Sequence, residues 1–359
     1  MKKIKILIKE IFLILGISMF ILIPIIIYKV SSHKEQVDYT PEVPISNDGI
    51  PIEDYHLRIA INDMLKQEEF ATITYEQALS ITSLDASSYQ IFNLNGIEYL
   101  SNLKKLNLSD NELHTWEQIK PLEQLSNLEY LSLNNNQICN LEKMIVLPRL
   151  KELDLSENKL KNLNGFIHFP KLQVLDLSDN QINSLNAIKD IEKLSCLQSL
   201  SLYQNNIKNL HGMHFLKKCN RLVEFDLSLN KIHSLAGIET LPNLQRFDLS
   251  WNYIRSLKTL VDFPSLNTLN LMENKLKSLN GIENLPNLKE LNLIKNPVQS
   301  FEKLETLTQL SLLYLSKDTD AHQQLKKFDF SLTTNETSNE FWFYDAQIWK
   351  RTVMSSKET

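Results

Sequence analysis

The sequence is poor in the residues that most often form covalent cross-links or special backbone turns. It has 359 residues, of which only 7 are Gly, 11 are Pro and 3 are Cys. The cysteines, Cys139, Cys196 and Cys219, are too few for a disulfide-stapled small fold or a four-cysteine zinc site. The low Gly and Pro content excludes a collagen-like or low-complexity chain.

Several classes of functional site are excluded by motifs that the sequence lacks. It contains no G-x-S-x-G nucleophile motif, no glycine-rich phosphate loop and no calcium-loop motif. Its eight His are scattered, and His211 and His214 have no further metal-ligand residues close to them in sequence. The net charge of −5 gives no basic excess for nucleic acid. We therefore expect a protein that is not an enzyme, with no cofactor, no metal site and no nucleic-acid partner.

The N-terminus combines positive charge with a long apolar run. Four lysines lie in residues 1–10, and residues 11–28 carry no charge. A run of this length reaches the lower limit for a transmembrane helix. The positive-inside rule then predicts a cytoplasmic stub at 1–10, a signal anchor at 11–28 and everything after Lys29 outside the membrane. The alternative is a signal peptide cleaved near Ser32, which would release a secreted protein.

Two short regions separate this run from the rest of the chain. Residues 29–50 are polar, contain spaced prolines and lack apolar periodicity, so we expect a stalk. Residues 51–80 contain apolar residues at helical spacing from Leu57 to Leu65, followed by a capping-box pattern at Thr74 and Gln77. This pattern predicts a helical N-terminal cap.

A Leu-rich repeat with one regularly placed Asn fills residues 81–318. Its template, L-x-x-L-x-L-x-x-N-x-L, begins at Leu103, and degenerate copies place Tyr89 and Asp318 at the Asn position. About eleven coils result, and the residues after them, 319–359, are rich in aromatics and predict a C-terminal cap or tail with a helix and a strand or hairpin. The predicted structural Asn ladder consists of Asn111, Asn136, Asn158, Asn180, Asn205, Asn230, Asn252, Asn274 and Asn296.

The chemistry of the repeat predicts an α/β solenoid. The x-L-x-L-x stretch alternates faces like a short strand, with its Leu side chains inward. The Asn amide offers donors and an acceptor to backbone groups of the turn that would otherwise be unpaired. Gly96, Gly165, Gly212, Gly237 and Gly281 share one repeat phase, which predicts a turn that glycine adopts at low cost.

Strand alternation also predicts which side chains a partner would touch. Carboxylates recur along the exposed face, and apolar residues stand at positions where other coils carry Ser, Asp or Glu. Exposed apolar patches often mark interfaces. The predicted partner-binding residues are Tyr130, Glu152, Asp154, Asp176, Tyr203, Glu224, Asp226, Leu229, Arg246, Asp248, Trp251, Met272 and Ile294.

The repeat resembles the internalin type of bacterial leucine-rich repeat, which is shared with the eukaryotic Sds22 phosphatase regulators. The junction from Ile81 through Leu84 and Ala86 to Leu94, Gly96 and Leu103 is similar to the cap-to-repeat junction of internalins. The resemblance implies a right-handed horseshoe whose concave face binds protein ligands. The sequence departs from internalins in having no sortase motif and no basic wall-binding repeats.

These observations predict a membrane-anchored, extracytoplasmic, internalin-like protein that binds a protein ligand through its concave face. Two alternatives stay open at this point. One is a structural scaffold of the cell envelope without a diffusible ligand. The other is a phosphatase-regulatory protein like Sds22, which requires the repeats to be cytoplasmic. The sequence leaves open the identity of the partner and whether Cys196 and Cys219 pair.

Overall fold

The computed structural model describes residues 49–140, 146–164, 169–316, 324–325, 332–333 and 341–345. All of them belong to the second of the two units into which the chain divides, Ile45–Thr359. The predicted signal anchor at 11–28 and most of the predicted stalk lie outside the described residues. Within these described ranges, no helix is both long enough and apolar enough to cross a membrane.

Two helices form the N-terminal cap, as predicted. Helix α1 spans Tyr55–Leu65 and helix α2 spans Tyr75–Ser80. The capping box at the start of α2 is present, because Thr74 Oγ1 accepts from Gln77 N and Gln77 Oε1 accepts from Thr74 N. Apolar residues of α1 and α2 are buried and belong to the same core as the repeats.

A single buried carboxylate fastens the cap to the first coil. Asp54 Oδ1 accepts hydrogen bonds from the backbone N–H groups of His56 and Leu57 at the start of α1. Its other oxygen accepts from Phe92 N and Asn93 N, both at 2.9 Å, almost forty residues along the chain. These bonds compensate for removing a charged group from water.

The cap begins before the predicted boundary at residue 50. Ile50 is 1% exposed, and its N–H donates to Ile73 O at 2.9 Å. The cap therefore includes Ile50, the last residue of the predicted stalk. A single apolar residue within a polar stretch gives too little periodicity to reveal that it packs against the cap.

Eleven parallel strands form one continuous sheet in chain order, with each strand pairing in register with the next. This confirms about eleven coils. The strands are β1 (Ser83–Asp85), β2 (Lys105–Asn107), β3 (Tyr130–Ser132), β4 (Glu152–Asp154), β5 (Val174–Asp176), β6 (Ser199–Ser201), β7 (Glu224–Asp226), β8 (Arg246–Asp248), β9 (Thr268–Asn270), β10 (Glu290–Asn292) and β11 (Leu312–Ser316).

Short helical turns lie in the segments that return from one strand to the next. Helix α3 spans Trp116–Ile119, and the other described returns contain 3-10 helices or irregular turns. Because one coil cannot bury its own apolar residues, the core is continuous through all coils. The 3-10 helices are Ile97–Tyr99, Lys120–Gln124, Leu185–Lys193, Met213–Lys218, Ile282–Asn284 and Glu302–Thr306.

Two further strands cover the C-terminal edge of the sheet. Strand β13 (Phe341–Asp345) pairs antiparallel with β11, and β12 (Leu332–Thr333) pairs antiparallel with β13. Pairing satisfies backbone groups that an open edge would leave exposed. This antiparallel pair agrees with the strand or hairpin expected in the C-terminal cap, whereas most of 319–359 lies outside the described residues.

The nine ladder Asn residues are all buried and bond neighbouring coils together. Asn180 is representative: its Nδ2 donates to Leu155 O in the preceding coil at 2.9 Å, and to Leu177 O and Ser178 O of its own coil. Its Oδ1 accepts from Leu160 N in the preceding coil at 2.9 Å. Each amide therefore serves both its own turn and the turn before it.

The residue before each ladder Asn adopts left-handed backbone geometry. Its φ lies between 47° and 57° in all nine coils, whatever its side chain. The shared glycine phase also requires positive φ: at Gly281 φ is 107°, and an added Cβ would lie 2.0 Å from Leu257 O. Four of the five glycines at this phase have positive φ, and Gly165 lies outside the described residues.

We expect Asn180→Ala to lower the free energy of unfolding by about 2–4 kcal/mol, because it leaves several buried backbone groups without partners. Chemical denaturation monitored by circular dichroism measures this change. Asn183→Ala, at an exposed position in the same coil, is the control and should have little effect. Equal destabilisation by the two variants would contradict the ladder's role.

Candidate functional site

The exposed side of the parallel sheet, here called the strand face, carries the first and third residue of each three-residue strand. The middle residue is buried in every one of these strands. Because the strands pair in register, their third residues align in one row across the sheet. In this row Asp154 lies beside Asp176 on the next strand, and Asp226 lies beside Asp248. Strands β6 to β11 line a groove of about 550 Å³ on this face.

The third residue of each strand makes a structural hydrogen bond that the sequence analysis did not identify. In β1 to β10, its side-chain oxygen accepts a hydrogen bond from the backbone N–H two residues later, at 2.8–3.4 Å. Asp, Asn and Ser all make this bond, which stabilises the turn that follows the strand. The recurring Asp-Leu-Ser triplets were the available signal.

Five aspartates stand in this row: Asp85 on β1, and Asp154, Asp176, Asp226 and Asp248 on β4, β5, β7 and β8. The latter four, here called the aspartate row, add charge that the turn does not require. Asn270 and Asn292 make the same bond without charge. Burial raises the pKa of Asp176 and of Asp226, while hydrogen bonds from Ser178 and Ser228 oppose the shift. Neighbouring carboxylates raise both values further. The negative charge therefore costs stability, and the turn chemistry does not explain its presence.

The first strand residues place the remaining predicted contacts on the strand face. Glu152 is exposed, and Tyr130 is half-buried on β3. Arg246 on β8 forms an ion pair with Glu224 on β7, so these two predicted contacts partly neutralise each other. The structure thus brings eight of the thirteen predicted residues together on this face: Tyr130, Glu152, Asp154, Asp176, Glu224, Asp226, Arg246 and Asp248.

The other five residues lie beyond the strands, and the prediction of an exposed apolar patch is wrong at Ile294. Ile294 is only 6% exposed. It stands two residues before a ladder Asn, where Ser156 and Ser250 of other coils are also buried, because neighbouring coils cover that position. Tyr203 and Met272 share this phase and are half-buried.

Leu229 and Trp251 stand directly before a ladder Asn, at the position where the backbone is left-handed. Of the two, only Trp251 is well exposed. They line a groove of about 420 Å³ at the edge of the strand face, here called the edge groove, together with Tyr253. Trp251 is 42% exposed and Tyr253 45%. Lys295 Nζ lies 5.7 Å from the Trp251 ring centroid, and Tyr253 stacks on His233 with centroids 5.0 Å apart.

The described residues form neither a metal-ligand cluster nor a disulfide. Across the parts of the chain that the structure describes, no group of three or more His, Cys, Asp or Glu could hold a metal ion. The three cysteines are free, so Cys196 and Cys219 do not pair. Cys219 donates to Ile191 O at 3.2 Å, and burial raises the pKa of its thiol to about 12. That thiol is therefore an unreactive core residue.

Comparison with known proteins agrees with the repeat geometry. Family models for leucine-rich repeats match residues 126–182 and 171–194. The chain is a leucine-rich repeat protein. No curated protein sequence matches this repeat protein significantly.

Several solved structures are similar to this chain. A leucine-rich repeat protein from Leptospira interrogans is 32% identical, with a TM-score of 0.57, over 66% of this chain. The match spans 61% of that protein, which is less than two thirds of its length. An internalin (inlF) from Listeria monocytogenes is also similar, at 23% identity and a TM-score of 0.45, covering 76% of this chain and 97% of that one. The internalin C2 of the same species is 22% identical, with a TM-score of 0.44, over 76% of this chain and 100% of that one.

One carboxylate next to the strand face, that of Asp179, has a strongly raised pKa. Asp179 lies at the left-handed position before Asn180 and accepts a hydrogen bond from Gln204. Burial raises its pKa to about 6, and the charges of Glu157 and Asp176 contribute in the same direction. Ionisation of Asp179 therefore opposes folding above that pH.

We expect Asp179→Asn to stabilise the protein at pH 8 by about 1 kcal/mol, a figure reduced to allow for partial solvent screening. The folded pKa lies above the unfolded value, so the gain should be complete above pH 6 and should vanish as the pH falls to about 4. Thermal unfolding across this pH range measures it. Asn suits left-handed geometry and can still accept from Gln204.

The matched control is Asp110→Asn, which makes the same exchange at the same repeat position on an exposed side chain. Asp110 likewise accepts a hydrogen bond from the next coil, through Asn135 Nδ2 at 2.6 Å. A gain for Asp179→Asn that does not depend on pH, or that Asp110→Asn reproduces, would contradict the assignment.

Proposed function

We propose that this leucine-rich repeat protein is held at the outer side of a membrane by residues 11–28 and binds a protein partner on its strand face. The partner presents basic side chains to the aspartate row. The repeats act as a binding scaffold without catalysis, and the polar residues after the anchor hold them away from the bilayer.

The aspartate row is the observation that supports a binding function most directly. Its four carboxylates lie on β4, β5, β7 and β8 and face the same side of the sheet. Asn would satisfy the turns equally well, and the charge of Asp176 and Asp226 costs stability. Charge kept at such a cost is typical of binding surfaces, where complementary potential steers a partner and fixes its orientation.

The strand face also has the shape and chemistry of a protein-docking surface. The groove across β6 to β11 is open and about 550 Å³ in volume, and mixes Ser, Thr and Asn with the Glu224–Arg246 pair and Tyr314. Parallel strands hold these side chains on a rigid surface, which reduces the entropy lost on binding. An open polar groove of this kind is suited to another protein rather than to a small apolar ligand.

A photo-reactive amino acid placed at Thr268 on the strand face should cross-link the partner in intact cells of the source organism. The same amino acid at Glu305, in the return segment after β10, is the control and should give no adduct. Replacing the four aspartates by Asn should reduce the adduct at Thr268 at least about tenfold without unfolding the protein. An unchanged adduct would contradict the role of the row, and equal adducts at both positions would contradict a strand-face site.

The anchor is supported by the sequence, because four lysines precede the uncharged run at 11–28. Protease added to intact cells should digest the repeats and leave a small membrane-bound fragment. A full-length chain that resists digestion even after the outer layers are stripped would contradict the outward orientation and favour a cytoplasmic regulator. Repeats found only in the medium would contradict a retained anchor.

A further inference from the structure

We infer that the chain has a second docking surface, which binds an acidic polypeptide segment on the flank of the solenoid. This surface, here called the basic flank, consists of the residues one and three positions after the ladder Asn in the seven coils from Asn158 to Asn296. It is a different surface from the strand face and carries the opposite charge. It does not depend on the function proposed for the aspartate row.

Charge is strongly segregated at these two positions. In the seven coils from Asn158 to Asn296 they comprise fourteen residues, of which seven are Lys or Arg and none is Asp or Glu. The whole sequence, by contrast, has more acidic than basic residues, 43 against 38. A solvated surface without a ligand would be expected to mix both signs.

The cations of the basic flank are exposed and form no ion pair within the part of the chain that the structure describes. Lys231, Arg255, Lys275 and Lys277 are exposed, and none of them forms an ion pair with any residue that the structure describes. Coils in a parallel sheet repeat at about 4.8 Å, so cations of successive coils lie close enough to repel one another. An anionic ligand would relieve this repulsion.

Aromatic anchors stand beside the cations. In one coil, Trp251, Tyr253 and Arg255 point outward in alternation, with Asn252 and Ile254 buried between them. Trp, Tyr and Arg are the residues most enriched at the energetic centres of protein interfaces. Trp251 also has a φ of 54°, a conformation that Asn tolerates more easily than a bulky side chain.

This combination identifies the kind of partner. The cations require a negatively charged ligand, and the edge groove at Leu229, Trp251 and Tyr253 accepts apolar side chains. A polypeptide segment that mixes Asp or Glu with Leu or Phe supplies both. Within the groove, Glu273 is paired with Lys295, so its charge is compensated where the segment would lie.

The test uses the full-length protein and a fluorescent peptide of alternating Glu and Leu, with a Gln and Leu peptide of the same length as its uncharged counterpart. The acidic peptide should bind, and should bind more weakly as salt increases. Changing Lys231, Arg255 and Lys275 each to Glu should weaken binding at least about tenfold. Trp251→Asn should weaken it while leaving thermal stability unchanged or raised.

Matched controls separate the basic flank from general charge effects. Changing Lys171, Arg221 and Lys289 each to Glu removes the same two Lys and one Arg at exposed positions in the loops before β5, β7 and β10, and should leave binding intact. Phe92→Asn removes another exposed aromatic residue and should also have no effect. The variant with four Asn in the aspartate row should bind the acidic peptide at least as well as the unaltered protein.

Three results would overturn the inference. One is equal binding of the acidic and uncharged peptides. Another is binding of polygalacturonate with no binding of the acidic peptide, which would identify an anionic polysaccharide as the occupant. The third is self-association in sedimentation experiments that the Lys231, Arg255 and Lys275 variant abolishes, which would identify a second copy of this chain as the occupant.

Discussion

The hydrogen bonds of the buried Asn amides are the interaction on which the rest of the structure depends. A coil must turn away from the sheet inside the core, where water cannot pair the backbone groups that the turn exposes. One Asn side chain supplies the missing donors and acceptor for two coils at once, as Asn180 does for Leu155, Leu160 and Leu177. Nine such amides in register hold the coils at a common geometry.

This constraint explains several features that are otherwise unrelated. The strands are mostly three residues long because the turn begins immediately after them. The residue before each Asn is left-handed because the carbonyl groups around it must face the amide, and the backbone therefore imposes this geometry even on Leu229 and Trp251. The side chain at that position is directed away from the core, so the fold leaves its chemistry free to vary.

The same regularity separates the chain's charges into surfaces. Residues at one phase form the aspartate row on the strand face, and residues at two other phases form the basic flank. Neither surface is visible in the net charge of −5, because that value sums all 38 basic and 43 acidic residues regardless of where they lie. A repeat protein can in this way present surfaces of opposite sign to two partners. Substitutions at the exposed positions of either surface alter its charge without disturbing the core.

Much of this architecture was predictable from the sequence because it depends on local spacing. The recurrence of Asn with Leu determined the coil number, the buried ladder and the alternation that places Glu152 and Asp154 on one face. Apolar periodicity and the Thr74–Gln77 pair likewise determined the cap helices. Only the tertiary structure decided that Ile294 is buried and that Ile50 packs against the cap. These outcomes depend on contacts between residues about twenty or more positions apart in sequence, which the identity of a residue and its place in the repeat do not specify.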